Sequence, residues 1–165
     1  MGASVRIESN AIEVVGKVTD EVNAWLEEAA GEIESQAKRN TPVGKVDGGG
    51  TKRDWDHKVD DDAHKAVIGN PQETAIWLEF GTGDYALEDN GRKGGWWILI
   101  GEGSRMISQS VVDAYGFKVS YGKNGKKYAF TRGMKPKRIL HNAVESNKSK
   151  IQKRLISRLK EIGGD

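Results

Sequence analysis

Side chains equipped for chemistry gather in one stretch of this sequence. Asp54, Asp56, His57, Asp60, Asp61, Asp62 and His64 fall within 11 consecutive residues. Carboxylate oxygens and imidazole nitrogens together are the donor set of a divalent-cation site. The spacing nevertheless matches no calcium loop, because the stretch has no glycine at the turn and no closing glutamate. Alternation along a strand would also throw these side chains onto two faces. The simpler expectation is a solvated acidic edge, which discourages strand-to-strand aggregation. A metal-dependent enzyme at residues 54–64 stands as an alternative.

Other candidates are weaker still. The loop Gly44 to Thr51 invites comparison with a phosphate-binding loop, but Gly50 stands where the pattern needs a lysine. Gly101-Glu102-Gly103-Ser104 superficially resembles a nucleophile elbow and lacks its second glycine. His141 has Glu145 four residues on, the spacing of a helix-surface pair. With no cysteine in the chain, disulfides, thiolate nucleophiles and cysteine-based zinc sites are excluded. Glu79, beside Phe80 and Gly81, could be an acid in a glycine-lined turn. No base, nucleophile or metal partner accompanies it in sequence, so a structural corner is expected over Glu79, Phe80, Gly81, Thr82 and Gly83, with Glu79 capping nearby amides. No catalytic residue, metal or cofactor is expected.

The elements that must position these residues can be read from periodicity. Val18, Val22, Trp25, Leu26, Ala29, Ile33 and Ala37 recur at spacings of three and four, the face of a long helix. Thr19 is a candidate N-cap, although the helix could begin nearer Ala11 with a break at Gly16. Residues 43–53 read as a glycine-rich mobile loop. Trp55 is expected on a strand with one wet face, and Ala66 to Ile68 on a second strand. The apolar run Ile76-Trp77-Leu78-Glu79-Phe80 reads as a short helical turn, ending abruptly at Gly81-Thr82-Gly83. Residues 81–95 form a second mobile loop. Trp96 to Ile100 has strand character, residues 101–116 admit a short helix, and Asn124-Gly125 marks a hairpin turn. A short opening strand is expected at Val5 and Ile7. Pro136 suits the first turn of a final helix whose apolar face runs from Ile139 to Ile162, stopped by Gly163-Gly164. The fold class is α+β: a small, mostly antiparallel sheet packed against long N-terminal and C-terminal helices.

The chain has 165 residues, 36% hydrophobic and 30% charged, enough for one domain spanning 1–165. Its net charge of +2 hides an asymmetry. Residues 1–40 carry 4 basic and 8 acidic residues, and residues 135–165 carry 9 basic and 3 acidic. Oppositely charged ends suit helices lying near each other, or neighbouring subunits meeting head to tail. The basic face Lys148, Lys150, Lys153, Arg154 and Arg158 could contact DNA through phosphate, without reading sequence. No signal-like N-terminus and no membrane-length apolar run is present, so no membrane partner is expected. Of five tryptophans, Trp96 and Trp97 are adjacent and must point opposite ways on a strand, which leaves one facing away from the core.

The order of these features resembles a known family. A helix ends at Asn40-Thr41-Pro42-Val43, and a strand ending at Ile68-Gly69 leads to Trp77-Leu78-Glu79-Phe80-Gly81-Thr82-Gly83. Thr131-Arg132-Gly133-Met134-Lys135-Pro136 then precedes Ile139-Leu140-His141-Asn142-Ala143 at the start of the last helix. Over roughly residues 18–162 this is similar to the tailed-bacteriophage minor tail-component family of tail-completion and head–tail joining proteins. Two local departures are Val46-Asp47-Gly48-Gly49-Gly50, where the family has an aspartate-threonine-glycine type of turn, and Ile139, where it usually has an aromatic.

The resemblance implies a structural virion protein with no enzymatic activity, made in the bacterial host cytoplasm. It would join or terminate the tail at the head connector as a ring of identical copies, a hexamer being one such size. Implied partners are further copies of itself, tail-tube and head-connector proteins, and packaged DNA through non-specific contact. Trp77, Trp96, Trp97, Arg132 and Met134 are the candidate interface residues. A non-specific nucleic-acid-binding domain using the basic helix is the first alternative, ahead of the metal-dependent enzyme.

Overall fold

The computed structural model of the protein describes residues 11–46 and 48–163. The strand expected at Val5 and Ile7 lies outside them, as does Gly164. In chain order the elements are α1 (Ala11–Asn40), α2 (Gly50–Arg53), β1 (Asp56–Asp60), β2 (Lys65–Gly69), α3 (Glu73–Phe80), β3 (Trp96–Ile100), β4 (Met106–Ile107), α4 (Gln109–Tyr115), β5 (Lys118–Tyr121), β6 (Lys127–Thr131) and α5 (Ile139–Gly163). A single 3₁₀ turn, Gly83–Tyr85, follows α3. The class is α+β.

The long helices α1 and α5 pack along each other. Small side chains make the approach possible: Ala29, Ala30 and Ala37 of α1 and Ala143 of α5 are buried, with Ile139 and Ile151 filling the space between. Trp25 adds a cross-helix hydrogen bond, its indole N–H donating to the Ile151 carbonyl at 2.9 Å. Helix α1 runs unbroken through Gly16, so Thr19 is an interior residue and not an N-cap. An isolated glycine costs a helix about 1 kcal/mol, too little to end one of this length.

The strands divide into two sheets. Antiparallel β1 and β2 form a hairpin pairing Asp56 with Gly69 and Asp60 with Lys65. It lies against α1, and its residues alternate between exposed and half-buried. The second sheet has the order β4-β3-β6-β5 and is antiparallel except between β3 and β4. The β5–β6 connection turns at Asn124-Gly125, closed by a Gly122 N–H to Lys126 carbonyl bond of 2.9 Å.

The main core joins Ala37, Trp55, Ala75, Leu78, Ile139 and Ala143, with Ile33, Ile68, Met134 and Leu140 packed around it. Burying an aliphatic side chain such as Ile139 or Leu78 contributes about 1.5–3 kcal/mol relative to exposure. Trp55 is a core residue at 4% exposure and stands one position before β1, the strand with one wet face on which it was expected. Its indole N–H is satisfied inside the core by Thr41 Oγ1 at 2.8 Å, while that hydroxyl donates to the Ala37 carbonyl at 2.7 Å. The loop between α1 and β1 contains α2. It is fastened to α4 by Lys45, whose amide donates to the Tyr115 hydroxyl at 3.0 Å and whose ammonium donates to the Ala114 carbonyl at 2.9 Å.

Candidate functional site

The turn after α3 is where the two halves of the molecule are fastened together. Glu79 reaches from α3 to the start of α5, where its carboxylate accepts from the amides of Leu140 at 2.8 Å and His141 at 3.1 Å. Helix N-termini leave such amides without intrahelical partners, and the helix dipole favours negative charge there. The Leu78 carbonyl accepts from Lys137 and Arg138 at 2.7 and 3.2 Å. Those bonds hold residues 137 and 138 outside the helix, with Arg138 at φ 50°. Helix α5 consequently begins at Ile139, and Pro136 lies before it and not in its first turn.

Beyond Phe80 the chain runs beside residues 131–136. Thr82 clamps Met134 in both directions: its amide donates to the Met134 carbonyl at 2.8 Å, and its Oγ1 accepts from the Met134 amide at 2.9 Å. The Asp84 amide donates to the Arg132 carbonyl at 2.9 Å, and the two side chains form an ion pair of 3.4 Å. The backbones come so close that two positions require glycine. A Cβ on Gly83, at φ 62°, would meet the Arg132 carbonyl oxygen at 2.3 Å; one on Gly133, at φ 103°, would meet the Thr82 oxygen at 2.1 Å. The segments Glu79–Gly83 and Thr131–Pro136, some 50 residues apart in sequence, are thus hydrogen-bonded neighbours.

The candidate interface residues occupy different environments. Trp77 and Trp97 are exposed. Trp97 leans on Phe130 with ring centroids 5.1 Å apart. Trp96 points to the other side and is half-buried, with the Arg92 guanidinium 5.7 Å from its ring. Met134 packs against the core, and Arg132 is exposed and paired with Asp84.

The acid and histidine stretch does not converge. Asp54 accepts from the Gln72 side-chain Nε2 at 2.6 Å, Asp60 caps the β1–β2 turn at the Ala63 backbone amide, and His64 bonds to Asn23 at 2.8 Å. Among the described residues, the grouping with metal-ligand geometry is Asp56 and His57 with Glu34 of α1, their ligand atoms lying within 4.8 Å of one another. Both ring nitrogens of His57 already face carboxylates, Nδ1 toward Glu34 and Nε2 toward Glu27 at 3.2 Å. Lys38 occupies the other Glu34 oxygen at 2.5 Å. Glu34 raises the pKa of His57 above its ordinary value, while Lys38 and then His57 lower that of Glu34. These contacts make a charge clamp fixing β1 to α1, with little left over to hold a cation. Sequence spacing missed Glu34 because the contact crosses from a helix to a strand.

The opposite charges of the chain ends meet within the molecule. Arg154 bonds to Glu32 at 2.6 Å, Arg158 to Glu28 at 2.7 Å and to Glu21 at 3.0 Å, and Lys150 to Glu32 at 3.3 Å. Hydrogen bonding to Arg154 lowers the pKa of Glu32. Such pairs stabilise weakly in water, but they engage three of the five residues of the supposed DNA-contacting face. Of the other two, Lys148 stands 4.0 Å from Glu145 and Lys153 has no ion pair among the described residues. Of the two expectations for the charged ends, helices lying near each other is the one these pairs match.

No helix among the described residues is long and apolar enough to cross a membrane. Residues 6–81 match a family model described as "Bacteriophage HK97-gp10, putative tail-component". No curated protein and no solved structure matches the chain. The matched segment ends at Gly81, inside the turn that Glu79 fastens to α5.

Proposed function

We propose, for a chain whose residues 6–81 match a phage tail-component family model, a structural place in the virion neck or tail end. There it would join or terminate the tail at the head connector as a ring of identical copies. The coarser part follows from the family: a structural component of the virion that meets other phage tail or head proteins. The finer part is carried by one observation. Helix α3 carries five apolar residues among its eight, yet only Ala75 and Leu78 are buried, leaving Ile76, Trp77 and Phe80 in water. A helix of that character belongs between two layers of protein, and aromatic residues in such positions anchor interfaces.

An interaction protein, and not an enzyme, also suits the chemistry of the polar groups. Both Glu79 oxygens are spent on the α5 amides, and His57 is held between two carboxylates. The proposed role is tested by making phage that lack this chain and imaging the products. Separate heads and tails, restored to whole particles by the added protein, are expected. Intact, infectious particles without the chain would overturn the proposal.

A further inference from the structure

Two apolar surfaces face solvent on opposite parts of the chain, and their chemistry is complementary. The first is the outer face of α3. Glu73, Ile76, Trp77 and Phe80 fall at i, i+3, i+4 and i+7 and so share one side of the helix. Leu87, also exposed, stands beside the end of this face, its amide donating to the Phe80 carbonyl at 2.9 Å. Ile76, Trp77, Phe80 and Leu87 are 58, 41, 47 and 48% exposed. Together they leave roughly 400 Å² of apolar side chain in water, about half of the ~800 Å² that each partner contributes to a standard interface. Acids border the patch at both ends, Glu73 on the helix and Glu88 beside Leu87.

The second surface is a cleft on the four-stranded sheet, lined by Trp97, Ser120, Gly122, Lys123, Asn124 and Tyr128. Strand register explains its composition. Trp97 lies opposite Phe130, Ser120 opposite Tyr128, and Lys118 opposite Phe130, so these side chains share a face. Trp97 is 46% exposed on its floor. Lysines surround it: Lys118 on β5, and Lys123 and Lys126 in the hairpin turn, all exposed. An acid-bordered apolar ridge and a lysine-bordered aromatic cleft on one chain are what a head-to-tail contact requires, since a heterologous interface joins two different patches.

We infer that the α3 ridge of one copy, with Ile76, Trp77, Phe80 and Leu87 at its centre, seats in the Trp97–Tyr128 cleft of the next copy. Glu73 and Glu88 then face Lys118, Lys123 and Lys126. This rests on the self-assembly proposed above and specifies which surfaces carry it. It replaces the charged helices as the complementary pair, because those charges are satisfied within each subunit.

The test uses two full-length variants that alter exposed side chains. Ile76→Glu puts a charge on the ridge, and Ser120→Arg plugs the cleft; thermal melts establish that each is folded. If either fails to fold, Glu73→Lys with Glu88→Lys, or Lys118→Glu with Lys123→Glu, takes its place. Sedimentation velocity is then run on the parent, on each variant and on their equimolar mixture. The expected result is an assembling parent, monomeric single variants and a mixture that forms dimers, because one intact ridge and one intact cleft remain. An assembling parent whose variants still assemble, or whose mixture stays monomeric, overturns this pairing and leaves ring formation standing. A parent that remains monomeric up to ~100-fold above the ~1 μM range of a weak complex overturns both.

Discussion

Glu79→Ala removes the carboxylate that caps α5 while leaving the buried side of α3 untouched. Losing a side-chain cap costs about 0.5–2 kcal/mol, and losing a negative charge from a helix N-terminus adds about 0.3–1 kcal/mol. Glu79 is half-buried and accepts two amide bonds, of 2.8 and 3.1 Å. A loss of about 2 kcal/mol is therefore expected. For a chain of this size that lowers Tm by about 4–8 °C. Glu79→Gln keeps an acceptor oxygen and loses the charge, so it should fall about halfway between. Thermal unfolding followed by circular dichroism measures both. Hydrogen exchange adds a local readout, with the amides of Leu140 and His141 losing protection before the rest of α5. A Glu79→Ala protein melting within ~1 °C of the parent, with those amides still protected, would refute a capping role.

Three further outcomes follow from the same geometry. Thr41→Val leaves the buried Trp55 indole N–H without its acceptor, and should cost about 1–3 kcal/mol in urea unfolding; a neutral result would mean another acceptor takes over. Gly83→Ala forces a Cβ into the Arg132 carbonyl at a positive φ, so a loss of more than about 3 kcal/mol, or failure to fold, is expected in the same assay. The His57 clamp gives stability a pH dependence. Because its folded pKa is raised, its contribution is complete below the ordinary histidine value of 6.5 and is lost as pH rises through the higher folded value. The lowered carboxyl of Glu34 works in the other direction, contributing above its ordinary value of 4.5 and failing as pH falls through the folded one. Tm measured across this range should decline on the alkaline side in the parent and less steeply in His57→Gln; equal slopes would contradict the clamp.

Elements whose signal is local were legible in the sequence. The apolar faces of α1 and α5, the Asn124-Gly125 hairpin and the break after Phe80 each depend on periodicity or on one turn residue. The capping role of Glu79 was legible only in part, because an acid before a glycine turn must find partners but its amides lie 61 and 62 residues further on. The role of Thr41, which holds the Trp55 ring, had no signal in the sequence. The misplaced elements depended on tertiary contact. Trp55 is expected on a strand whose other face is wet; it stands one residue before that strand, and Thr41 supplies the acceptor that lets its ring be buried. Pro136 suited a helix start, but the Leu78 carbonyl captures the next two amides and delays the helix by three residues. The acidic stretch is expected as a solvated edge with its side chains on two faces, a metal site being the alternative. In the fold they bond separately to Gln72, Ala63 and Asn23, while His57 turns to α1.

The apolar α3 face gives the central claim its most direct test, which is to find where this chain sits in an assembled particle. Cryo-electron microscopy of the phage, with the described fold fitted into the density, reads position and neighbours at once. The expected result is a closed ring of copies at the neck or tail end, with Ile76, Trp77 and Phe80 buried against protein. Density for the fold elsewhere in the particle, or copies there with the α3 face still open to solvent, would contradict it.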